Sequence, residues 1–342
     1  MRRGFRLLLL VLFLAPLGGC SNLSYYSQAI GGHLSLLMKR QEIQELEKDP
    51  KLSQKLRERL ALSQQVVAFA RDELDLPDNG SYRQFVKVDG RYVVWNVVAA
   101  PRFSLKAKTW CYPIAGCASY RGYYHKQAAE AYADKLRKQG LDVAVAGASA
   151  YSTLGWLSDP LLSTMLYRDE GQFAEVIFHE LAHQRFYLPG NTPLNESFAE
   201  VVATEGVKRW FASRGEQSKY RDYLKDREYE EGFDQLLLTT RSRLEALYDS
   251  GVPEAVMARR KQAIFQQLQS EYAAYKTRHH GDGRYDRWMA QGLNNAHLAL
   301  VATYQGLEPM LRRMLKESGG DMAEFYRRVE TYAKQSTSGK TD

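Results

Sequence analysis

The chain has 342 residues, 44% of them hydrophobic and 25% charged, a balance that supports a buried core and excludes a disordered or low-complexity protein. Its formal charge is +7, but three of the arginines lie in the first six residues, so the remainder carries +4. Elsewhere Lys and Arg are interleaved with Asp and Glu and no nucleic-acid motif occurs. The charge therefore indicates a mild preference for anionic surroundings such as lipid head groups, and no nucleic-acid partner.

Residues 1–19 read as a targeting segment. Arg2, Arg3 and Arg6 form a positive stretch, and Leu7 to Leu14 an apolar run too short to span a bilayer. Leu17-Gly-Gly-Cys20 resembles a lipobox, cut before its cysteine. The mature chain is thus expected to start at an acylated Cys20, anchored to a membrane rather than crossing it. Ser21, with no Asp after the cysteine, resembles outer-membrane sorting in Gram-negative bacteria. The expected location is the cell envelope, facing the periplasm.

Residues 20–80 form a predicted membrane-proximal helical segment. Leu34, Leu37, Met38 and Ile43, then Leu56, Leu60, Ala61 and Val67, recur near helical spacing, with a break at Asp49-Pro50. Leu76-Pro-Asp-Asn-Gly80 is a turn that closes the segment.

A sheet and a catalytic core are expected over residues 81–213. Tyr92 to Val98 is β-branched and aromatic, Leu105 to Tyr112 is a second predicted strand, and Asp142 to Ala146 a third after a helix from Gln127 to Lys138. Cys111 and Cys117 flank a short turn, and an oxidising compartment would join them. Tyr123, Tyr124 and His125 supply donors that could meet an oxyanion or a substrate. Tyr151 to Gly155 is the last extended piece before the next helix. It is either the edge that an extended peptide pairs with, which would bring Tyr151 to substrate, or a core strand.

The next helix contains His179-Glu-Leu-Ala-His183. Residues four apart on a helix differ by about 40° around its axis, so His179 and His183 share a face and fill two positions of a tetrahedral zinc. Glu180 is placed to take a proton from a water at the metal. Phe173, Val176, Ile177 and Leu181 make an apolar stripe, so the motif sits on a helix that packs. A turn-rich stretch, Leu188 to Pro193, must reverse the chain before a second helix from near Asn195 to about Trp210. A third ligand is needed, and Glu196, Glu200 and Glu205 are the candidates. Glu196 is preferred, Glu200 one turn on suits a hydrogen bond to a ligand imidazole, and Glu205 points about half a rotation away.

With its HExxH helix followed by Asn195-Glu-Ser-Phe-Ala-Glu200, the sequence resembles the gluzincin metallopeptidases. The resemblance implies His179, His183 and Glu196 as ligands of one zinc ion per chain, Glu180 as base and Glu200 behind the ligands. The loop between the helices is shorter here than in thermolysin-like enzymes. More narrowly, Trp110 to Cys117, Ala150 to Trp156, His179 to His183 and Asn195 to Ala199 make nearly the whole mature chain similar to a bacterial family of lipoproteins labelled predicted aminopeptidases.

Residues 214–342 read as a helical lobe, with helices predicted from Tyr220 to Asp249, Pro253 to Arg278, Arg287 to Tyr304, Pro309 to Lys316 and Met322 to Lys334. His279-His280 sits in a Gly-rich turn that reads as solvated. Asn294, Asn295, His297 and Tyr304 either face the zinc or serve packing and capping. Amino-terminal anchoring of a substrate needs an acid at the end of the cleft, for which Asp169, Glu170 and Glu205 are candidates, although acids beside helix ends commonly serve the helix dipole. The expected fold is α+β and predominantly helical, zincin-like, with a small sheet packed on the HExxH helix. The expected function is zinc-dependent peptide hydrolysis, as an aminopeptidase. The alternatives are an endopeptidase and a non-catalytic metal-binding lipoprotein that acts through protein partners.

Overall fold

The computed structural model describes residues 20–112, 116–150, 157–301 and 306–338. The fold is α+β and predominantly helical. The expected signal segment, Tyr151 to Gly155 and Tyr304 lie outside the described residues.

Helix α1 (Cys20–Met38) is followed by a two-residue strand β1 (Gln41–Glu42), a single helical turn α2 (Ile43–Leu46) and the longer α3 (Gln54–Leu74). The break falls at Asp49-Pro50, and Ser53 starts α3 by accepting a hydrogen bond from the Leu56 amide. Among the described residues eight strands form three small sheets, and the alternation pattern does not reveal the shortest of them, including one parallel pair. That pair is β2 (Gln84–Val86) and, far along the chain, β8 (Leu161–Leu162), with β1 antiparallel on the other side of β2. A second sheet has β3 (Val94–Pro101) between β6 (Arg121–Tyr123) and β7 (Leu141–Ala148), all antiparallel. The third is a hairpin of β4 (Trp110–Tyr112) and β5 (Gly116–Ala118), across which Cys111 and Cys117 form a disulfide. Of the strand expected from Leu105 to Tyr112, only β4 forms. Leu105 is instead drawn into a separate core with Tyr229, Phe233 and Leu268.

The sheet was expected to pack on the HExxH helix, but the faces of β6-β3-β7 are covered by other helices. On one face Val97, Ala99 and Val143 pack against Ala129, Ala133 and Leu136 of α4 (Lys126–Lys138). On the other, Val98 and Ala144 pack against Ala296 of the short helix α10 (Asn295–Leu298). A sheet with both faces taken has no surface left for a third helix. The strands that share a core with the HExxH helix are mainly β2 and β8, through Phe85, Val86, Leu161 and Leu162, and β3 reaches it only through its first residue, Val94.

The HExxH helix is α5 (Glu170–Arg185), and α6 (Thr192–Ser213) packs against it as an antiparallel hairpin. Both helices are apolar on most sides because both are interior. Phe173, Ile177, Phe178 and Leu181 of α5 and Phe198, Val202 and Val207 of α6 are essentially inaccessible to solvent. Gly206 sets how closely they approach, since a Cβ there would lie 2.6 Å from the Phe178 ring and 2.7 Å from Leu74 of α3. Asn195 does not begin α6, which starts a turn earlier with Asn191 as its cap. Its amide instead clamps Leu188, accepting from that residue's N–H at 2.8 Å and donating to its carbonyl at 2.9 Å.

Two long helices, α7 (Gln217–Tyr248) and α8 (Glu254–Arg278), pack on each other, and α11 (Glu308–Glu317) and α12 (Met322–Ser338) return to the first core. Tyr326 of α12 donates to the Leu74 carbonyl at 2.6 Å, so the last helix closes over α3. The helix expected from Arg287 to Tyr304 is two single turns, α9 (Asp286–Met289) and α10, separated where Gly292 takes a positive φ of 71°. Asn294 and His297 cap α10 reciprocally, and the buried Asn295 amide donates to the carbonyls of Pro101, Arg102 and Ser104. These residues lock the sheet to the helical lobe; they do not face the HExxH motif.

Burial pushes the His297 imidazole down to about 4, and its Nδ1 accepts from the Asn294 amide at 3.1 Å. A histidine depressed in the folded state stabilises it above the unfolded pKa near 6.5, and that contribution is lost as pH falls toward 4. Replacing His297 by Gln is therefore expected to remove about 2–3 kcal/mol of the acid-induced destabilisation between pH 6.5 and 4. Urea unfolding at both pH values checks this; equal pH dependence in the two proteins would refute it.

Candidate metal centre

Asp169 caps α5 by accepting from the Gln172 amide at 2.9 Å, and the capped helix carries His179, Glu180 and His183 in its last three turns. The short connection to α6 then brings Glu196 opposite them. The Nε2 atoms of His179 and His183 lie 3.1 Å apart, with Glu196 Oε2 3.5 Å from the first and Oε1 3.7 Å from the second. Two ligands of a tetrahedral ion with bonds of zinc's length lie roughly 3.3–3.4 Å apart, so the spacing fits. One nitrogen from each histidine and one carboxylate oxygen fall within 4.8 Å of one another, and this is the group able to hold a metal ion among the described residues.

The electrostatics fit as well. Burial, reinforced by His179, pushes His183 down to about 4 and keeps it neutral, the form that donates a lone pair. Burial acts the same way on His179, but Glu196, Glu180 and Glu200 outweigh it and raise this imidazole to about 9. Without a cation in the cluster, His179 thus holds a proton against Glu196, whose carboxyl the two histidines keep below its usual range despite burial. A metal ion would take the place of that proton.

Glu200 lies one turn beyond Glu196, with Oε2 4.0 Å from His179 Nδ1, the nitrogen that faces away from the cluster. The carboxylate is itself ion-paired with Arg227 of α7, and Arg227 also holds Glu175 of α5 at 2.7 Å. This chain from imidazole to carboxylate to guanidinium orients His179 from behind. Sequence spacing suggests Glu200 but gives no sign of Arg227 or Glu175, since Arg227 is on a helix that begins well after the motif.

Glu180 is influenced by a different set of groups. Burial, and after it the neighbouring Asp159 and Glu196, raises its carboxyl to about 7 against the pull of His179. Asp159 precedes β8 and is 2% exposed; it accepts from Gln184 at 3.2 Å, and its own amide donates to the Ser81 hydroxyl. A carboxylate near 7 is matched to accepting and returning a proton at neutral pH. Asp159 carries no motif, and only the fold places it here.

Of the residues expected to contact an oxyanion or substrate, Tyr123 packs on Tyr25 and Tyr132, Tyr124 packs on Gly32 of α1, and His125 precedes α4 as its N-cap residue. The tyrosine of this segment that senses the cluster is Tyr120, in the turn before β6. Burial and then Glu196, Tyr187 and Glu180 raise its pKa, although 45% of the residue remains exposed. Tyr187 sits edge-on to His183 at 6.4 Å between ring centroids. The acids considered as substrate anchors are engaged elsewhere. Asp169 is the cap, Glu170 holds Trp210 and Lys219, and Glu205 holds Lys208 and Arg209. His279 sits edge-on to Tyr229 and tilted against Tyr275. Behind Glu200 a cavity of about 720 Å³ lies between α6, α7 and α11, and Glu230 and Asp234 in its wall have no hydrogen-bond or ion-pair partner among the described residues.

A family model described as "Putative aminopeptidase" matches residues 24–342. No curated protein and no solved structure matches the chain.

Proposed function

We propose that this chain, which belongs to the family described as putative aminopeptidase, is a zinc-dependent aminopeptidase of the gluzincin type, lipid-anchored in the bacterial envelope. The observation that carries the reading is the convergence of His179, His183 and Glu196 beside a half-buried carboxylate, Glu180, raised to about 7. Two imidazole nitrogens and one carboxylate oxygen, with the base on the same helix, are the donor set of a catalytic rather than a structural zinc. Zinc held by these three residues would polarise the scissile carbonyl and lower the pKa of a water.

The rest of the chemistry falls to the protein. Glu180 takes a proton from the attacking water and delivers it to the leaving amine, its pKa near neutrality making both transfers favourable at the same pH. Glu200 and Arg227 fix the orientation of His179. Tyr120, whose hydroxyl stays protonated and responds to Glu196 and Glu180, is our candidate donor for the negative charge that develops on the carbonyl oxygen. The anchoring part rests on Arg2, Arg3, Arg6, the Leu7 to Leu14 run and Leu17-Gly-Gly-Cys20. No helix among the described residues is long and apolar enough to cross a membrane.

The experiment that tests the reading pairs peptides with free and acetylated amino termini, follows them by mass spectrometry and measures bound metal in the same preparation. The expected result is about one zinc per chain and release of amino-terminal residues from the free peptides alone. Internal cleavage of the blocked peptides would discard the aminopeptidase reading and keep the zinc chemistry.

A further inference from the structure

Helix α1 presents two unlike faces. One is docked: Gln28 donates to the Gly122 carbonyl at 3.3 Å and accepts from the Tyr124 amide at 3.2 Å, and Arg121 lies over the Tyr25 ring at 3.9 Å. Gly32 backs onto the Tyr124 ring with no room for a Cβ, and Leu36 enters the main core. The opposite face carries Tyr26, Ile30, Leu34 and Met38, which are 36%, 60%, 49% and 80% exposed. Steps of four residues advance about 40° each, so these side chains form one stripe down the outer surface. Between Cys20 and Met38 there is no Asp, Glu, Lys or Arg. An outward helix face in water normally carries charge, and this one carries four large apolar groups and none.

The chain itself indicates what covers the stripe. The residues directly before α1 are the apolar run Leu7 to Leu14 behind three arginines, so α1 begins where the polypeptide is directed to a bilayer. A helix tethered at its first residue has a high effective concentration at that surface, and a modest stripe then suffices to lay it down. A second copy of the chain is a poorer fit, because four side chains on one helix fall short of the roughly 800 Å² per partner that a stable dimer buries.

We propose that α1 is an in-plane docking helix whose Tyr26, Ile30, Leu34 and Met38 rest at the boundary between head groups and acyl chains of a phospholipid bilayer. In a free amphipathic peptide the other face would be polar and solvated; here that face is spent on the protein. The rigid contact of α1 with β6 fixes how the whole body sits on the membrane. The proposal rests on the envelope anchoring proposed above and is independent of the peptidase chemistry.

The test uses the full-length chain in phosphatidylethanolamine–phosphatidylglycerol vesicles, with an environment-sensitive fluorophore on Ile30→Cys, Leu34→Cys and, as a control on exposed α3, Lys55→Cys. The unsubstituted chain, with Cys20 acylated and carried through the same labelling, supplies the background. Labels at 30 and 34 are expected to shift to the blue and to be quenched about twofold or more by lipids whose nitroxides sit roughly 5–10 Å below the phosphates, while the label at 55 answers only to aqueous iodide. Iodide quenching at 30 and 34 equal to that at 55 would place the face in water and overturn the proposal. A blue shift that grows with the protein-to-lipid ratio and ignores the nitroxide lipids would assign the face to a second copy instead. If the unsubstituted chain fails to associate with vesicles, both the anchoring and the docking fall. Turnover of a soluble peptide, measured on each preparation, separates any of these from a failure of the proposed chemistry.

Discussion

Glu180→Gln is expected to lower peptide turnover by roughly a hundred- to ten-thousand-fold and to leave metal content unchanged. The amide keeps the size of the carboxylate, so the packing of α5 is preserved, and Glu180 is not one of the three groups whose atoms converge on the metal position. What is lost is the ability to accept a proton. The carboxylate is suited to that task because burial and Asp159 bring it to about 7; an amide has no such equilibrium. The measurements are kcat on a free-amino-terminus peptide and elemental analysis of the purified protein. Turnover close to that of the wild type would sink the assignment of Glu180 as base, and loss of metal would show that it is a ligand.

Glu196→Ala and Glu200→Ala are expected to separate by the size of their effect on metal affinity. Glu196 supplies an oxygen 3.5 and 3.7 Å from the two Nε2 atoms, and its loss leaves two ligands, too few to retain zinc through dialysis. Glu200 touches only the far side of His179, so its loss is expected to weaken binding about 10–100-fold without emptying the site. Arg227→Met should fall with Glu200→Ala, since it removes the group that holds that carboxylate in place. Competition with a chelator of known affinity gives the three numbers. An empty site in Glu200→Ala with a full one in Glu196→Ala would exchange their roles.

The parts of this molecule legible in its sequence are those fixed by local spacing. The His179–His183 pair, its helix and the second helix with Glu196 follow from a period of 3.6 and a turn-forming loop, and the long helices α7 and α8 follow from the same period. The two cysteines closed over a short hairpin are equally local. What the sequence conceals is set by contacts between distant segments. β2 and β8 are two or three residues long and pair across more than seventy positions, so neither has a pattern of its own. The alternation in β3 and β7 shows a sheet but not which helix covers it, and α4 and α10 do so rather than α5. Asp159, Tyr120 and Arg227 matter to the centre through where the chain returns, and each is unremarkable beside its own neighbours. The continuous helix expected from Arg287 fails for a local reason instead, because Gly292 and the cap at Asn294 outweigh the spacing of apolar residues.

The hairpin of α5 and α6 also bears on the order in which the protein assembles. All three residues of the group that could hold a metal fall between positions 179 and 196, on two helices joined by a short loop, so closing the set requires only contacts of low sequence separation. Such contacts form early, before loops spanning a hundred residues have closed. Arg227, which steadies Glu200, arrives only with α7, and α12 completes the core from the far end of the chain. Convergence of the three residues and refinement of their surroundings are therefore separable stages: the hairpin brings the group together first, and its supports are complete once the carboxy-terminal third has folded back.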